Sequence, residues 1–460
     1  MRATVEYERK LDAPSGFRLP ELGGSPLEPR LFTSVYFDTP RGSLAALGIT
    51  LRRRTERERA LWQLKLPSDD ARLELELEAE PTHVPEEFLD ILYAPLRHGN
   101  LEPVAELRTR RHGELVARNG TTAEVTVDEV AVMDAHRVRD AFVEVEIELQ
   151  AGRPAHLDAL VDELARAGAA PGTGAPKLFR ALGREPDARR RGGTPFEKLQ
   201  ERLLVQLREV ERHDPGTRLG HDPESLHDMR VGVRRLRALL RTGRPLLATD
   251  TSRLDARLRE LGAVLGDVRD LDVLLERLGV EAAELGEPDS THARALISAL
   301  AREREDKRQV LLMVLRSDAY LKLLDDTAAA IDALEPSDAG VTLDDVASKA
   351  SKKLRKAIGA LPDEPSDDDL HAVRKKGKRA RYAAELAGHN RVVRRAKVFQ
   401  DVLGEHQDAV VAAERVRELA AKATPEQALA AGQLVAREEE RRATARREWR
   451  EAWERLQRKL

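Results

Sequence analysis

Hydrophobic and polar residues alternate in short runs along roughly the first 180 positions, at Val5–Leu11, Ser34–Phe37, Ile49–Arg54, Leu61–Leu66, Arg72–Glu78, Ala123–Asp128 and Phe142–Leu149. Period-two alternation bounded by Pro- and Gly-containing turns predicts β-strands. Apolar spacing near Glu86–Tyr93 and His156–Ala167 predicts helical interludes. Seven or eight strands at such spacing imply an antiparallel barrel. From about Pro195 the period changes to that of amphipathic helices, at Phe196–Arg212, Ser225–Leu240, Arg253–Leu278, Leu343–Ile358, Leu370–Leu386 and Arg391–Leu419. The stretch 184–194 (REPDARRRGGT) has neither period and reads as a linker between a domain at 1–183 and another at 195–460.

The helical half repeats itself. Leu226-His227-Asp228-Met229-Arg230 parallels Leu370-His371-Ala372-Val373-Arg374, and Leu265-Gly266-Asp267 parallels Leu403-Gly404-Glu405. A break at Leu334–Gly340 separates the copies, about 195–335 and 341–460. Two landmarks in the same order imply an internal duplication.

The polar positions are not ordinary surface. In the strands one parity is charged: Glu6, Glu8, Lys10; Arg52, Arg54; Arg72, Glu74, Glu76, Glu78; Glu144, Glu146, Glu148. Residues two apart share a strand face, so each strand has one charged and one apolar face. If the helices cover the apolar faces from outside, the charges point into a lumen. There, Arg and Lys would bind phosphate oxygens, and carboxylates would hold a hard divalent ion that bridges to them.

Composition narrows the choices. The net charge of −3 gives no global basic excess and argues against nucleic acid, so an anion site must come from local clustering. The absence of cysteine excludes disulfides, thiolate metal sites and thiol nucleophiles. Residues 1–20 carry no signal-peptide pattern and no run suits a membrane span, so a cytoplasmic location is expected.

At Glu6-Tyr7-Glu8-Arg9-Lys10 the chain resembles the CYTH family of triphosphate tunnel metalloenzymes, whose hallmark is an N-terminal E-x-E-x-K strand. The likeness continues through Val35–Pro40, Gly48–Arg54, Trp62–Lys65, Arg72-Leu73-Glu74, Glu144–Leu149 and Pro176-Lys177-Leu178. It implies an eight-stranded tunnel with Mg²⁺ or Mn²⁺ as cofactor. Glu6 and Glu8 would be metal ligands, with Glu146 and Glu148 opposite and Glu144 as a further candidate. Lys10, Arg52, Arg54, Lys65 and Lys177 would hold phosphates, with Arg72 and Arg108 as candidates for the same task. Asp128 would bind metal or position water, although Glu129 follows it where the family often has Gly. Glu74 and Glu76 fit equally well as salt-bridge partners of tunnel arginines.

Helical projection at about 100° per residue gathers His227, Arg230, Arg234 and Arg237 within an arc of about 80°, and His371, Arg374, Lys378 and Arg381 repeat the spacing. Stacked like charges destabilise a helix, and a bound polyanion would relieve them. Asp267, Asp270 and Asp408 are candidate counter-charges, and Lys352, Lys353, Lys356, Arg259 and Lys397 could widen a groove. These segments resemble the CHAD domain (conserved histidine α-helical domain). That resemblance implies a pair of four-helix bundles binding inorganic polyphosphate, and an association with polyphosphate granules. The two histidines would donate hydrogen bonds to phosphate, more strongly at mildly acidic pH.

The expectation is an α+β multidomain protein, a metal-dependent inorganic triphosphatase joined to a polyphosphate-binding module. A non-catalytic polyphosphate binder and a nucleoside or thiamine triphosphatase stay open, with Trp62 and Tyr7 as the aromatics a base could use.

Overall fold

The computed structural model describes residues 1–57, 59–67, 72–78, 83–172, 176–183 and 193–460. The chain divides into two compact units, Met1–Arg190 with Asp214–Leu219, and Arg191–His213 with Gly220–Leu460. Most of the expected linker, residues 184–192, lies outside the described residues.

In the first unit the period-two runs become strands β1 (Arg2–Glu6), β2 (Glu8–Ala13), β3 (Ser25–Pro26), β4 (Arg30–Asp38), β5 (Thr50–Glu56), β6 (Arg59–Pro67), β7 (Arg72–Glu78), β8 (Glu102–Arg118), β9 (Thr121–Asp134), β10 (Arg137–Ala151) and β11 (Ala170–Pro171). All pairings are antiparallel, in the order β1-β7-β6-β5-β4-β8-β9-β10-β2-β11, with β3 beside β8. The expected first strand is interrupted at Tyr7. Its leading half pairs with β7, Glu6 opposite Arg72, and its trailing half with β10, Lys10 opposite Glu146. The Tyr7 carbonyl accepts a hydrogen bond from Leu149 N at 2.9 Å. One stretch of chain therefore satisfies both edges of the sheet. With β1 and β2 as a single stave, and the two-residue β3 and β11 set aside, the wall has eight staves.

Closure decides which face is inside. Helices α1 (Ser43–Ala46), α2 (Glu86–Ile91), α3 (Leu157–Arg166) and α4 (Lys177–Ala181) follow in chain order. Leu157, Leu160 and Leu164 of α3 pack on Leu11, Val125, Val127, Val145 and Ile147. Leu44 of α1 and Phe88 of α2 pack with Leu51, Trp62, Leu64 and Leu75. The apolar parity is thus covered from outside, and the charged parity lines the lumen. Further along the lumenal faces the residues turn apolar, and Leu107, Val130, Val132 and Phe142 meet Leu178 and Ala181 of α4. That cluster fills one end of the barrel.

The second unit is helical: α5 (Pro195–Leu219, whose last turns, Asp214–Leu219, count with the first unit), α6 (Pro223–Gly243), α7 (Ser252–Ala283), α8 (Asp289–Leu315), α9 (Asp318–Asp332), α10 (Leu343–Gly359), α11 (Asp367–Ala387), α12 (Asn390–Ala420) and α13 (Pro425–Gln457). Capping boxes start α10, α11 and α13, where Thr342, Ser366 and Thr424 each pair reciprocally with the residue three positions on. The second arm is the expected set of four helices, α10–α13, and the first has five, α5–α9. Glycines set the closest approaches. A Cβ at Gly232 would lie 2.9 Å from Val210 of α5, and one at Gly377 would lie 3.2 Å from Phe399 of α12. The arms join where α6 packs on α11, and where α7 and α8 meet α12 and α13 around Leu274, Leu278, Leu300, Ala412, Val416 and Leu434. Among the described residues no helix is long and apolar enough to cross a membrane.

Candidate functional site

The lumen of the first unit is a cavity of ≈ 1180 Å³ lined almost entirely by polar and charged side chains. Each wall follows from strand parity. Glu6, Glu8 and Lys10 come from the interrupted first stave, Arg52 and Arg54 from β5, Lys65 from β6, Arg72 and Glu74 from β7, Asp128 from β9, Glu146 and Glu148 from β10, and Lys177 from the start of α4. Glu144 is buried behind this lining, 2.7 Å from Lys177. All the predicted tunnel residues thus belong to one constellation, with one exception. Arg108 lies on the outward parity of β8, in an exterior cleft with Arg110 and Arg180, because Leu107, Thr109 and Arg111 take the lumenal side. The lumenal cation of β8 is Arg111. Its register partner on β9 is Asp128, and an inward carboxylate directly opposite was the signal that could have singled it out.

The carboxylates are knit to cations. Arg111 grips Asp128 with two hydrogen bonds of 2.7 and 2.6 Å and also reaches Glu146. Lys177 lies 3.0 Å from Asp128 and 2.6 Å from Glu146. Lys10 bonds Glu146 at 2.9 Å, Lys65 bonds Glu6 at 2.6 Å and Glu74 at 3.1 Å, and Arg72 meets Glu8 at 3.2 Å. Burial works against Lys177 and Lys10, yet Glu146 and the neighbouring carboxylates hold both ammonium groups above the ordinary lysine range. Glu74 thus pairs with Lys65 where an arginine partner was expected, and Glu76 accepts a hydrogen bond from Gln63 at 2.7 Å.

Glu6 differs. Burial, then a hydrogen bond with the Glu74 carboxyl, pushes it up to about 8, against the pull of Lys65. Burial also opposes charge on Glu74, but the bond from Glu6 and the charges of Lys65 and Arg52 hold it at about 2. Two abutting carboxyls sharing one proton make an oxygen donor set where a divalent ion can replace that proton. Among the described residues no three carboxylate or imidazole groups are already gathered as a cage, because ammonium and guanidinium groups stand between them. The donor chemistry fits a hard cation, with Glu6 and Glu74 as its start.

The opposite wall is cationic without full compensation. Arg52 is held by neutral partners, Gln63 at 2.8 Å and Tyr36 at 3.2 Å. Arg54 has Glu56 at 3.0 Å. Burial, then the charges of Arg52, Arg30 and Arg111, lower Arg54 to about 10. Cations that repel one another inside a cavity mark where an anion belongs. Trp62 is buried in the exterior core, 5.1 Å from Phe37, so no ligand in the lumen can stack on it.

In the second unit the two basic stripes meet where α6 packs on α11. Arg374 and Lys378 of α11 both feel the charges of Arg230 and Arg234 of α6. Burial, then Arg374, Arg234 and Arg230, lowers Lys378 to about 8. Few acids answer. Arg230 has Asp270 at 2.9 Å, Arg237 has Asp255 at 3.1 Å, and Arg381 has Glu385 of its own helix at 3.4 Å. The buried Nε atoms of Arg234, Arg374 and Arg381 have no hydrogen-bond partner. The duplicated glycines lie beneath these arginines. A Cβ on Gly266 would touch the Arg230 guanidinium at 3.4 Å, and one on Gly404 that of Arg374 at 3.4 Å. His227 and His371 lie on the same stripes. Burial, then Arg269 for the first and Lys375 for the second, lowers both below the usual histidine range. Any gain from their protonation therefore needs more acid than an ordinary histidine does. Arg259, Lys352, Lys353, Lys356 and Lys397 are exposed surface charges.

Comparison with known proteins covers both units. Residues 4–178 match the CYTH domain and residues 201–417 the CHAD domain. The uncharacterized proteins MT2285 and Rv2226, from two strains of Mycobacterium tuberculosis, are each 32% identical over 453 residues, covering 90% of this chain and 88% of theirs. PptA from Streptomyces chartreusis superposes with a TM-score of 0.51 at 25% identity, over 57% of this chain and 100% of that one. The CHAD domain from the plant Ricinus communis gives 0.50 at 25% identity, over 59% and 94%.

Proposed function

We propose, for a chain that belongs to the proteins joining a CYTH domain to a CHAD domain, that the tunnel hydrolyses inorganic triphosphate with Mg²⁺ or Mn²⁺ and that the helical unit binds polyphosphate. The observation that carries this reading is the opposition, inside one cavity plugged at one end, of a carboxylate-rich wall to an arginine-rich wall.

Glu6, Glu8, Glu146 and Glu148 would hold the ion, with Glu74 beside Glu6 and Glu144 behind. A bound divalent ion supplies charge neutralisation on the phosphate oxygens and a more acidic water. The remaining work belongs to side chains. Arg52 and Arg54 bind non-bridging oxygens with forked N–H donors. Lys10, Lys65 and Lys177 already lie against the carboxylates, so they can exchange a carboxylate oxygen for a phosphate oxygen with little movement. Asp128 is fully buried and held ionised by Lys177 and Arg111 despite that burial. It can orient a water for in-line attack on the terminal phosphorus. The P–O bond to the bridging oxygen then breaks, and pyrophosphate and orthophosphate leave.

The test is phosphate release from triphosphate by the full chain, with and without Mg²⁺ or Mn²⁺. Turnover should need the ion and stop with EDTA. The double variant Glu6→Gln, Glu8→Gln should lose at least about a thousandfold in kcat, with its circular dichroism unchanged. Persistent turnover in that folded variant would remove the carboxylate wall from the chemistry. Long-chain polyphosphate, ATP and thiamine triphosphate run in parallel would show whether the cavity prefers an organic triphosphate.

A further inference from the structure

Most lumenal cations are answered by a carboxylate from another element, and Arg52 by neutral hydrogen-bond acceptors. Among the described residues the carboxylate on Arg54 is Glu56, two residues along its own strand, and Glu56 is already engaged by Arg30 through hydrogen bonds of 2.8 and 2.6 Å. Something else holds Arg54 in place among Arg30, Arg52 and Arg111.

That neighbour is Phe32. Its ring lines the cavity and is 5% exposed. β4 runs between β5 and β8, so Phe32 lies between the strand of Arg54 and the strand of Arg111. The Arg54 guanidinium carbon is 3.7 Å from the ring centroid, and that of Arg111 is 5.7 Å away. An aromatic face attracts a guanidinium through its quadrupole, and both distances lie inside the range of that attraction. The chemistry differs from a salt bridge in one respect. A carboxylate consumes N–H donors and cancels the charge. A ring face does neither, and leaves the fork open toward the lumen.

We propose that Phe32 is a positioning residue, whose ring holds the Arg54 guanidinium with donors free for the oxygens of a phosphate chain and steadies the Arg111 guanidinium beside it. The proposal rests on the reading of the tunnel as a phosphate-chain site, and it assigns Phe32 a role in ground-state binding, not in bond cleavage.

The test compares Phe32→Leu with Phe32→Tyr in the full chain. Leucine keeps an apolar side chain and removes the π face; tyrosine keeps the face. Triphosphate binding is measured by calorimetry with Ca²⁺ as a non-hydrolytic ion, and hydrolysis with Mg²⁺. Phe32→Leu should weaken binding and raise KM about tenfold, with kcat within about twofold, and Phe32→Tyr should restore both. Melting temperatures control for packing. Three results would overturn the proposal: affinity unchanged in Phe32→Leu, equal losses in both variants, or a fall in kcat at constant KM. If wild type binds triphosphate but hydrolyses none, the catalytic reading fails while the binding comparison still decides the role of Phe32.

Discussion

The tunnel and the helical seam both concentrate positive charge, and they treat it in opposite ways. In the tunnel nearly every ammonium or guanidinium group is interleaved with carboxylates: Lys177 touches three and Lys10 three. In the seam, Arg230, Arg234, Arg374 and Lys378 face one another across two helices with Asp270 and Asp408 as partial counter-charges. A metal–phosphate complex carries both signs, and the tunnel offers both. A bare polyanion carries one, and the seam offers its opposite. The difference separates a place suited to chemistry on phosphate from a place suited to holding it.

The sharpest break in this comparison concerns β8. If the interleaving is functional, Arg111→Ala removes the two hydrogen bonds that orient Asp128 and one of the three cations on Glu146, and should lower kcat on triphosphate about a hundredfold or more. Arg108→Ala, on the outward face of the same strand, should stay within about twofold. Steady-state phosphate release on both variants decides it, and equal effects would place the strand's function on neither face.

That pair also marks where sequence reading stopped. The charged parity of β7 and β10 was legible because the other parity is apolar, and it pointed to the lumen. In β8 both parities are charged, Arg108 and Arg110 outside beside Arg111 inside. With no alternation, the strand went unread, and the resemblance alone supplied the wrong arginine. Helix α13 escaped for a related reason. The charged residues of α13 run all round it: Glu438 is buried against Arg277, while Arg441 and Arg446 also make ion pairs, so no clean apolar stripe stands out. The break at Tyr7 is a tertiary effect, since only closure of the sheet asks one strand to serve two edges. The duplicated stripes, by contrast, were fully legible, because local spacing alone fixes a helix face. Their meeting at α6 and α11 needed the fold.

The seam is tested by charge reversal. Arg230→Glu with Arg374→Glu should weaken binding of long-chain polyphosphate about a hundredfold, about tenfold for each charged contact. Affinity in the parent should fall steeply with added salt, as counterion release requires. Triphosphate turnover in the tunnel should not change, because none of these groups lines it. Isothermal calorimetry beside the phosphate-release assay reads both, and a variant that loses turnover but keeps polyphosphate would reverse the assignment of the two units.

The smallest effect is the most diagnostic, because one substitution should change sign between the two regions. Lys10 is held charged by Glu146, Glu8 and Glu144 against the cost of burial. Lys10→Met leaves those carboxylates uncompensated and should cost about 3 kcal/mol. Lys378 is pushed the other way, to about 8, by burial and by Arg374, Arg234 and Arg230, with Asp408 opposing. An unfolded lysine titrates near 10.4. Between about 8 and 10.4 the unfolded chain binds more protons, so this lysine makes stability rise with pH through that window, and below about 8 its penalty is present in full. Discounted for partial solvent exposure, Lys378→Met should stabilise the free protein at pH 7 by about 1 kcal/mol, or about 2–4 °C in melting temperature. The gain should vanish by about pH 10.5. Polyphosphate should abolish it too, since an anion in the seam raises the lysine again, and calorimetry at pH 8.5 in two buffers of different ionisation enthalpy should record proton uptake on binding. If Lys378→Met destabilises the free protein as Lys10→Met does, the seam's charges are compensated after all, and the contrast between the two regions collapses.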